Sequence, residues 1–219
     1  LATIPADNTD LVVHVSGINQ GMHEDLRVAN DYASALSTAA MLSDVGYEVV
    51  LSASRQEAID VAHYAYTRKT KRAFVHIFDG AYAACERSVL SPPSSKAPEP
   101  CTYTGPSAPA TALVMPHGAM SHRARALLLS LPPHLRGKVG IVSVRRLGSW
   151  DAAVLRRAVP TSVQTLRVVE EAFSSTDGAL YADVLESVLS GALRGVRAQS
   201  LVLAPGQALC PEAWPGAST

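Results

Sequence analysis

Cysteine is scarce in this sequence, and the few present are not spaced to build a metal centre. Only Cys85, Cys101 and Cys210 occur, and no two of them form a C-x-x-C motif. This excludes a zinc or iron–sulfur site built from cysteines within the chain. The small, odd number also argues against a disulfide-stapled secreted scaffold. We therefore expect a reducing compartment and a cytoplasmic location.

An excess of charge and a long apolar run are also missing. Nineteen basic residues balance nineteen acidic ones, so nothing favours nucleic acid or an anionic membrane as a partner. No apolar run approaches the roughly 18 residues of a membrane span. No signal-peptide pattern follows Leu1, which stands where a complete chain would begin with Met. We expect a segment of a longer protein.

The common catalytic motifs are absent as well. The sequence contains no P-loop, no G-x-S-x-G elbow and no H-E-x-x-H, and Gly17 and Gly21 follow the first strand at the wrong spacing for dinucleotide binding. His117 and His122 lie five positions apart, and two histidines without a third ligand fall short of a zinc site. We therefore predict no metal site and expect these two histidines to form a solvent-facing loop pair.

Apolar runs of strand length are abundant. Apolar residues make up 47% of the 219 residues, and the runs are continuous rather than alternating. Continuous runs suit strands covered on both faces, and helical patterns between them are typical of βαβ units. The sequence therefore predicts an α/β protein with parallel sheets, with strands at 11–15, 47–51, 73–78, 112–115, 139–144, 166–169 and 201–203.

Helix signals lie between these runs. Ser54 and Glu57 form a capping box, which predicts that a helix begins there. Further helices are predicted at about 30–42 and 179–193, and another near Met120. The basic residues after the first helix, at 68, 69, 71 and 72, are expected to form a solvated helix end.

Proline divides the chain. Six of its fourteen prolines fall within residues 91–109, which predicts a linker between two halves. We expect one sheet-based domain at 1–90, a second at 110–204, and an irregular tail at 205–219.

The most informative stretch is the strand that ends in Asp79 and Gly80. Ligands of parallel α/β proteins bind beyond the carboxyl ends of strands, where Asp79 could accept a hydrogen bond and Gly80 would permit close approach. The alternative is an Asp-Gly turn with a helix N-cap. His76 is either a ligand-facing residue or a satisfied core histidine.

A similar turn follows the strand at 112–115. Gly118, next to His117, precedes a helix, and free amides at a helix start can hold an anion. The alternative is an ordinary strand-to-helix connection. The stretch 174–178 is expected to be a loop with capping residues.

Residues 47–62 and 74–80 resemble the end of the first domain of pyruvate:ferredoxin (flavodoxin) oxidoreductases. The matching stretches are YEVVLSASRQEAIDVA and FVHIFDG. Residues 112–119, 140–145 and 178–184 resemble the same family's transketolase C-terminal-like domain II. The resemblance implies a pyrimidine-binding domain of thiamine-diphosphate type, then this second domain, each a three-layer half around a parallel sheet.

The sequence departs from this family at its working groups. The resemblance implies an oxoacid-binding Arg at the position where Ser43 stands. It also implies a motif in the loop after Gly80, and Glu86 is the only residue of that motif present here. The Asp-Arg pair of a later strand is replaced by Glu170 and Glu171. A neutral Ser cannot replace the bidentate grip of Arg on a carboxylate.

A degenerate branch of the family accommodates these departures. Residues 29–36, the Phe-Asp-Gly turn and the tail with Trp214 resemble the N-terminal region of eukaryotic NADPH sulfite reductase flavoproteins. The resemblance implies a noncatalytic scaffold, with FAD, FMN and NADPH on downstream domains and no cofactor bound by this segment. Its partners would be other domains of the same polypeptide or a redox partner subunit.

Two alternatives remain open at the level of sequence. One is part of a catalytic 2-oxoacid oxidoreductase that uses thiamine diphosphate with magnesium, with Asp79 and Glu86 as catalytic candidates. The cofactor-binding candidates would then be His76, Gly80, His117 and Gly118. The other is a small-ligand or partner-binding module that uses the strand ends.

Overall fold

Two compact units make up the chain in the computed structural model. It describes residues 10–17, 41–80, 83, 86–147, 151–171, 179–204, 209 and 214. Unit 1 comprises Leu1–Glu99 and Arg145–Ser149, and unit 2 comprises Pro100–Val144 and Trp150–Thr219. The chain therefore returns to unit 1 for a short stretch in the middle of unit 2.

A four-stranded mixed sheet forms the centre of unit 1. Strands β1 (Val12–Ser16) and β2 (Glu48–Ser52) flank β3 (Phe74–Phe78) in parallel, and β7 (Arg146–Leu147) adds to β2 in the antiparallel direction. The residues of β2 are buried throughout, as continuous apolar runs predict for covered strands.

Helix α1 (Arg55–Thr67) covers one face of this sheet. Its predicted capping box is confirmed: Glu57 N donates to Ser54 Oγ at 3.1 Å, and Ser54 N donates to the Glu57 carboxylate at 3.3 Å. Val61 and Ala65 of α1 pack against Val50 and Phe74 of the sheet. Residues 41–44 are also helical, and they precede the turn into β2.

Unit 2 contains a five-stranded mixed sheet in the order β4-β6-β5-β8-β9. Its strands are β4 (Cys101–Thr104), β5 (Thr111–Pro116), β6 (Val139–Val144), β8 (Thr165–Glu171) and β9 (Arg197–Leu203). Its helices are α2 (Ala119–Ser130), α3 (Pro133–Arg136), α4 (Ala152–Ala158) and α5 (Ala179–Leu189). The core lies around β5 and β6, and Trp214 of the tail is buried in it at 2% exposure.

The α/β class is confirmed, but the expected purely parallel sheets are wrong. Strands β4 and β7 each add in the antiparallel direction at one edge of a sheet. Neither contains an apolar run: β4 reads Cys-Thr-Tyr-Thr inside the predicted linker 91–109, and β7 has two residues. Backbone pairing with a neighbouring strand stabilises both, and this is invisible to a search for apolar runs.

The basic run after α1 is only in part the solvated helix end that we expected, because Lys69 and Lys71 are exposed whereas the two arginines are partly buried. The helix ends at Thr67, and the Arg68 guanidinium stacks 4.5 Å from the ring centre of Phe74. Arg68 also donates to the Thr70 and Arg72 carbonyls, while Arg72 donates to the Gly46 carbonyl. Arg68 and Arg72 thus stabilise the turns before β2 and β3.

Some sequence predictions fall outside the described residues, namely most of the helix at 30–42, the resemblance at 29–36 and the loop at 174–178. Cys85 and Cys210 also lie there. Within the described part of the chain, no helix combines the length and apolarity that crossing a membrane requires.

Candidate functional site

A hydrogen-bonded chain of three side chains runs across the sheet of unit 1. His76 of β3 places Nδ1 3.0 Å from Nδ1 of His14 and Nε2 2.7 Å from the Ser52 hydroxyl. His76 is 1% exposed and Ser52 is fully buried, whereas the His14 side chain is exposed. Both ring nitrogens of the buried histidine are thus engaged by side chains of the neighbouring strands.

Strand register explains this convergence. His14 and Val50 are the cross-strand partners of His76, so these residues project from one face of the sheet. Phe74, two residues before His76, lies on that same face under α1. His76 therefore projects into the layer between sheet and helix, where burial and the neighbouring His14 lower its pKa from 6.5 to about 3.

The order Ser52, His76, His14 resembles that of a catalytic triad, in which a nucleophile is followed by a base and then by a group that orients the base. An efficient general base needs a pKa near the working pH, and a nucleophile must reach its substrate. His76 has a pKa of about 3, and Ser52 is completely buried. The arrangement is that of a satisfied core histidine, as one of our two interpretations of His76 predicts.

Asp79 and Gly80 lie directly beyond the carboxyl end of β3, where the sequence predicted them. The Asp79 amide donates to the Ser52 carbonyl at 3.0 Å, and the Asp79 carbonyl accepts from Ala83 N at 2.9 Å. The Asp79 side chain is fully buried, and Gly80 is buried and helical. This geometry matches the turn and helix start that was the structural alternative to a ligand site.

Glu86 contacts the start of α1. Its carboxylate accepts a hydrogen bond from the Arg55 amide at 2.7 Å, and its carbonyl accepts one from the Arg55 guanidinium at 3.4 Å. The first amides of a helix lack partners within the helix, and a carboxylate there is favoured by the helix dipole. Glu86 therefore has a structural partner in the part of the chain that is described.

An ion pair lies at the same helix start. Arg145 donates to one Glu57 oxygen at 2.6 Å, while the other oxygen accepts from the Ala53 amide at 3.0 Å. The Arg145 carbonyl accepts from the Leu51 amide at 2.7 Å, beside the end of β2. Sequence analysis missed this arginine because it returns to unit 1 from 88 positions further along the chain.

In unit 2, His117 and Gly118 connect β5 to α2. The expected solvent-facing histidine pair is wrong, since His117 is 1% exposed, although its ring centre lies 5.7 Å from that of His122. The Gly118 amide donates to Ser121 Oγ at 3.2 Å, and the Ser121 hydroxyl donates to the Gly118 carbonyl at 2.8 Å. The Gly118 amide is thus engaged by a serine of the chain itself.

Glu170, a departure from the family pattern, has a clear structural role. Its two carboxylate oxygens accept from the amides of Leu180 at 2.9 Å and Tyr181 at 3.0 Å, at the start of α5. The side chain is 9% exposed. A buried carboxylate on two helix amides is a strong charge-assisted cap.

Ser43, the other departure, lies at the opposite end of the unit 1 sheet from Asp79. It is 6% exposed, and its carbonyl accepts from the Gly46 amide at 2.9 Å, just before the amino end of β2. Asp79 follows the carboxyl end of β3, which is parallel to β2. A side chain at position 43 therefore belongs to a different edge of the sheet from Asp79.

The candidates thus separate into two groups. His76, Asp79 and Gly80 lie on or after β3 with Glu86 further along unit 1, while His117 and Gly118 lie in unit 2. The partners that sequence analysis missed, Ser52 and His14, occupy neighbouring strands in register with β3. Only a correct prediction of that register could have revealed them.

No protein-family model matches the chain, and no curated protein matches it.

Proposed function

We propose that this chain is a scaffold segment of an oxidoreductase. Specifically, it would be the degenerate, noncatalytic region of an NADPH-dependent sulfite reductase flavoprotein, which resembles the oxoacid oxidoreductases. The observation that carries this proposal is the contact of Glu86. It is the one residue kept from the family's active-site loop pattern, and here its carboxylate caps α1 through the Arg55 amide at 2.7 Å.

The other candidate side chains support the same conclusion. A thiamine-diphosphate site needs polar groups that face a bound cofactor, but Asp79 is fully buried and His117 is 1% exposed. Both nitrogens of His76 lie within hydrogen-bond distance of other side chains. These residues do not fit a thiamine-diphosphate site, and we derive no chemical step through that cofactor.

A scaffold role also agrees with the contacts of Glu170, the acidic residue near the end of β8 in unit 2. Glu170, which replaces the aspartate of the family pattern, holds the first amides of α5. In the proposed protein the flavins and NADPH would bind downstream domains. The present units would hold those domains or a redox partner subunit in place.

Calorimetry with thiamine diphosphate and magnesium tests the proposal directly. The chain is expected to give no binding heat at cofactor concentrations up to the millimolar range. Binding in the micromolar range would overturn the proposal. It would favour the alternative, a catalytic 2-oxoacid:ferredoxin (flavodoxin) oxidoreductase.

A second test uses Glu86→Gln in the full-length polypeptide. The amide keeps an acceptor oxygen for the Arg55 N–H but loses the charge that the helix dipole favours. We therefore expect a loss of about 0.5 kcal/mol and a small downward shift of thermal unfolding. NADPH-dependent sulfite reduction per folded molecule is expected to stay within about twofold, since no reacting group has changed. A large loss of turnover at unchanged folding would contradict the scaffold role.

A further inference from the structure

Residues 87–97 of unit 1 form an irregular segment that is attached to α1. Each of these residues is exposed, and none belongs to a helix or a strand. Two side chains of α1 hold the segment: Gln56 contacts the backbone of Ser91, and Asp60 accepts from the Ser94 amide at 2.9 Å. We propose that Ser91 is a phosphorylation site for a protein kinase that recognises serine followed by proline. The proposal is independent of the scaffold role.

The sequence singles out one acceptor for such a kinase. Ser91 is followed by Pro92, and no other serine or threonine of the chain directly precedes a proline. Proline lacks an amide N–H, and it keeps the residue before it out of the helical conformation. A kinase cleft that accepts proline at this position therefore distinguishes Ser91 from Ser88 and Ser95, which are exposed in the same segment but precede other residues.

The backbone at Ser91 has the extended form that presents a side chain to a kinase cleft. Gln56 donates from Nε2 to the Ser91 carbonyl at 3.3 Å, and Gln56 Oε1 accepts from the Ser91 amide at 2.7 Å. One side-chain amide can engage both groups because the N–H and C=O of an extended residue point the same way. Among the described residues the Ser91 hydroxyl has no hydrogen-bond partner, whereas Ser94 Oγ accepts from the Lys96 amide at 3.2 Å.

The transfer requires the kinase and ATP with magnesium. Ser91 Oγ attacks the γ-phosphorus of ATP, the bond from that phosphorus to the bridging oxygen breaks, and ADP leaves. The hydroxyl proton passes to the catalytic aspartate of the kinase. Because residues 87–97 are exposed, the phosphate stays in water and its charge is not buried.

Mass spectrometry of the folded chain after incubation with a purified mitogen-activated protein kinase, ATP and MgCl₂ tests the site. A single phosphate per chain is expected, and it should lie on Ser91. Ser91→Ala should lose it, and so should Pro92→Ala, in which the serine itself is kept. Ser95→Ala should keep it. Phosphate on Ser88 or Ser95 in the original chain, incorporation that persists in Pro92→Ala, or no incorporation overturns the proposal.

The reaction rate separates a site on the folded surface from one that only an unfolded chain offers. The kinase must open the exposed contacts with Gln56, so the folded chain should react about tenfold more slowly than a peptide of residues 86–97. Gln56→Ala should raise the rate to that of the peptide, while Gln199→Ala, an exposed change in unit 2, should not alter it. Phosphorylation of the peptide but not of the folded chain would overturn the proposal, and an unchanged rate in Gln56→Ala would refute the role given to Gln56.

Discussion

Each unit contains a buried arrangement of polar side chains, and one of these arrangements is neutral while the other is charged. In unit 1 a neutral chain, Ser52–His76–His14, crosses the sheet between strands. In unit 2 a carboxylate at a strand end, that of Glu170, holds two amides at the start of a helix. The first arrangement depends on imidazoles that stay uncharged, and the second on an acid that stays charged.

This difference predicts which change, a substitution or a fall in pH, destabilises each arrangement most. A charge-assisted cap concentrates stability in one side chain, so a single substitution removes it. A neutral imidazole network is sensitive to protonation, because a buried cation has a high desolvation cost. The cap of α5 should therefore be sensitive to the loss of Glu170, and the Ser52–His76–His14 chain to a fall in pH.

The largest effect is expected for Glu170→Ala in unit 2. It leaves the buried Leu180 amide and the partly buried Tyr181 amide without their carboxylate, at a cost of about 3 kcal/mol. Urea unfolding should show a lower midpoint at an unchanged slope. Glu170→Gln retains one acceptor oxygen and should lose about half as much.

Glu186→Gln is the matched control for this prediction. Glu186 lies on the same helix, α5, but is exposed. Its substitution should change stability by less than about 0.5 kcal/mol. Equal losses from the two glutamates would mean that the contacts of Glu170 are not what stabilises α5.

Packing at the edge of the unit 2 sheet gives the next effect. A Cβ placed on Gly140 of β6 would overlap the ring of Tyr103 in β4. The Tyr103 hydroxyl donates to the Pro106 carbonyl at 2.6 Å, which holds the ring in place. Gly140→Ala is therefore expected to cost about 2 kcal/mol through overpacking.

A double-mutant cycle identifies the cause of that loss. Tyr103→Ala removes the ring, so the further cost of Gly140→Ala in this background should fall close to zero. The free energies of unfolding of all four proteins give the coupling. Simple additivity would show that the cost at Gly140 has another origin.

Sequence reasoning found local features and missed those that depend on strand pairing. The capping box of α1 lies within four consecutive residues, and the buried strands are visible in the sequence as apolar runs, so both were predictable. The edge strands β4 and β7 lack such runs. The partners of His76 are 24 and 62 positions away, and register alone brings them together. The contacts of Glu170 with residues 180 and 181 likewise require the folded α5.

The pH dependence of unit 1 sharpens the comparison further. Burial lowers the pKa of His76 from its ordinary value of 6.5 to about 3. Above pH 6.5 the residue is neutral in both states, and its contribution is fully present. As the pH falls below 6.5, the unfolded chain takes up a proton that the folded chain does not. Stability should therefore decrease, by about 1 kcal/mol at pH 5.5, until the pH approaches 3.

Urea unfolding between pH 7.0 and 5.5, with a chelator present, measures this decrease. His76→Gln should make the decrease smaller, because the variant has no imidazole to titrate at this position. The part that remains comes from other groups, including His14, whose pKa is also lowered by burial. His134→Asn changes an exposed residue of α3 and should leave the profile as it is. A flat profile in the unmodified chain would contradict the comparison between the units.

The smallest effect concerns reactivity rather than stability. Cys101 lies in the edge strand β4 of unit 2, and burial raises the pKa of its thiol from 9.0 to about 12. Only the thiolate reacts with iodoacetamide, so Cys101 should be alkylated about a thousandfold more slowly in the folded protein than in urea at pH 8. Mass spectrometry of the Cys101 peptide gives both rates. Comparable rates would mean that β4 opens readily and that Tyr103 does not hold this edge of the sheet. Slow alkylation that becomes fast in Tyr103→Ala would show that the Tyr103 ring is what keeps the edge closed.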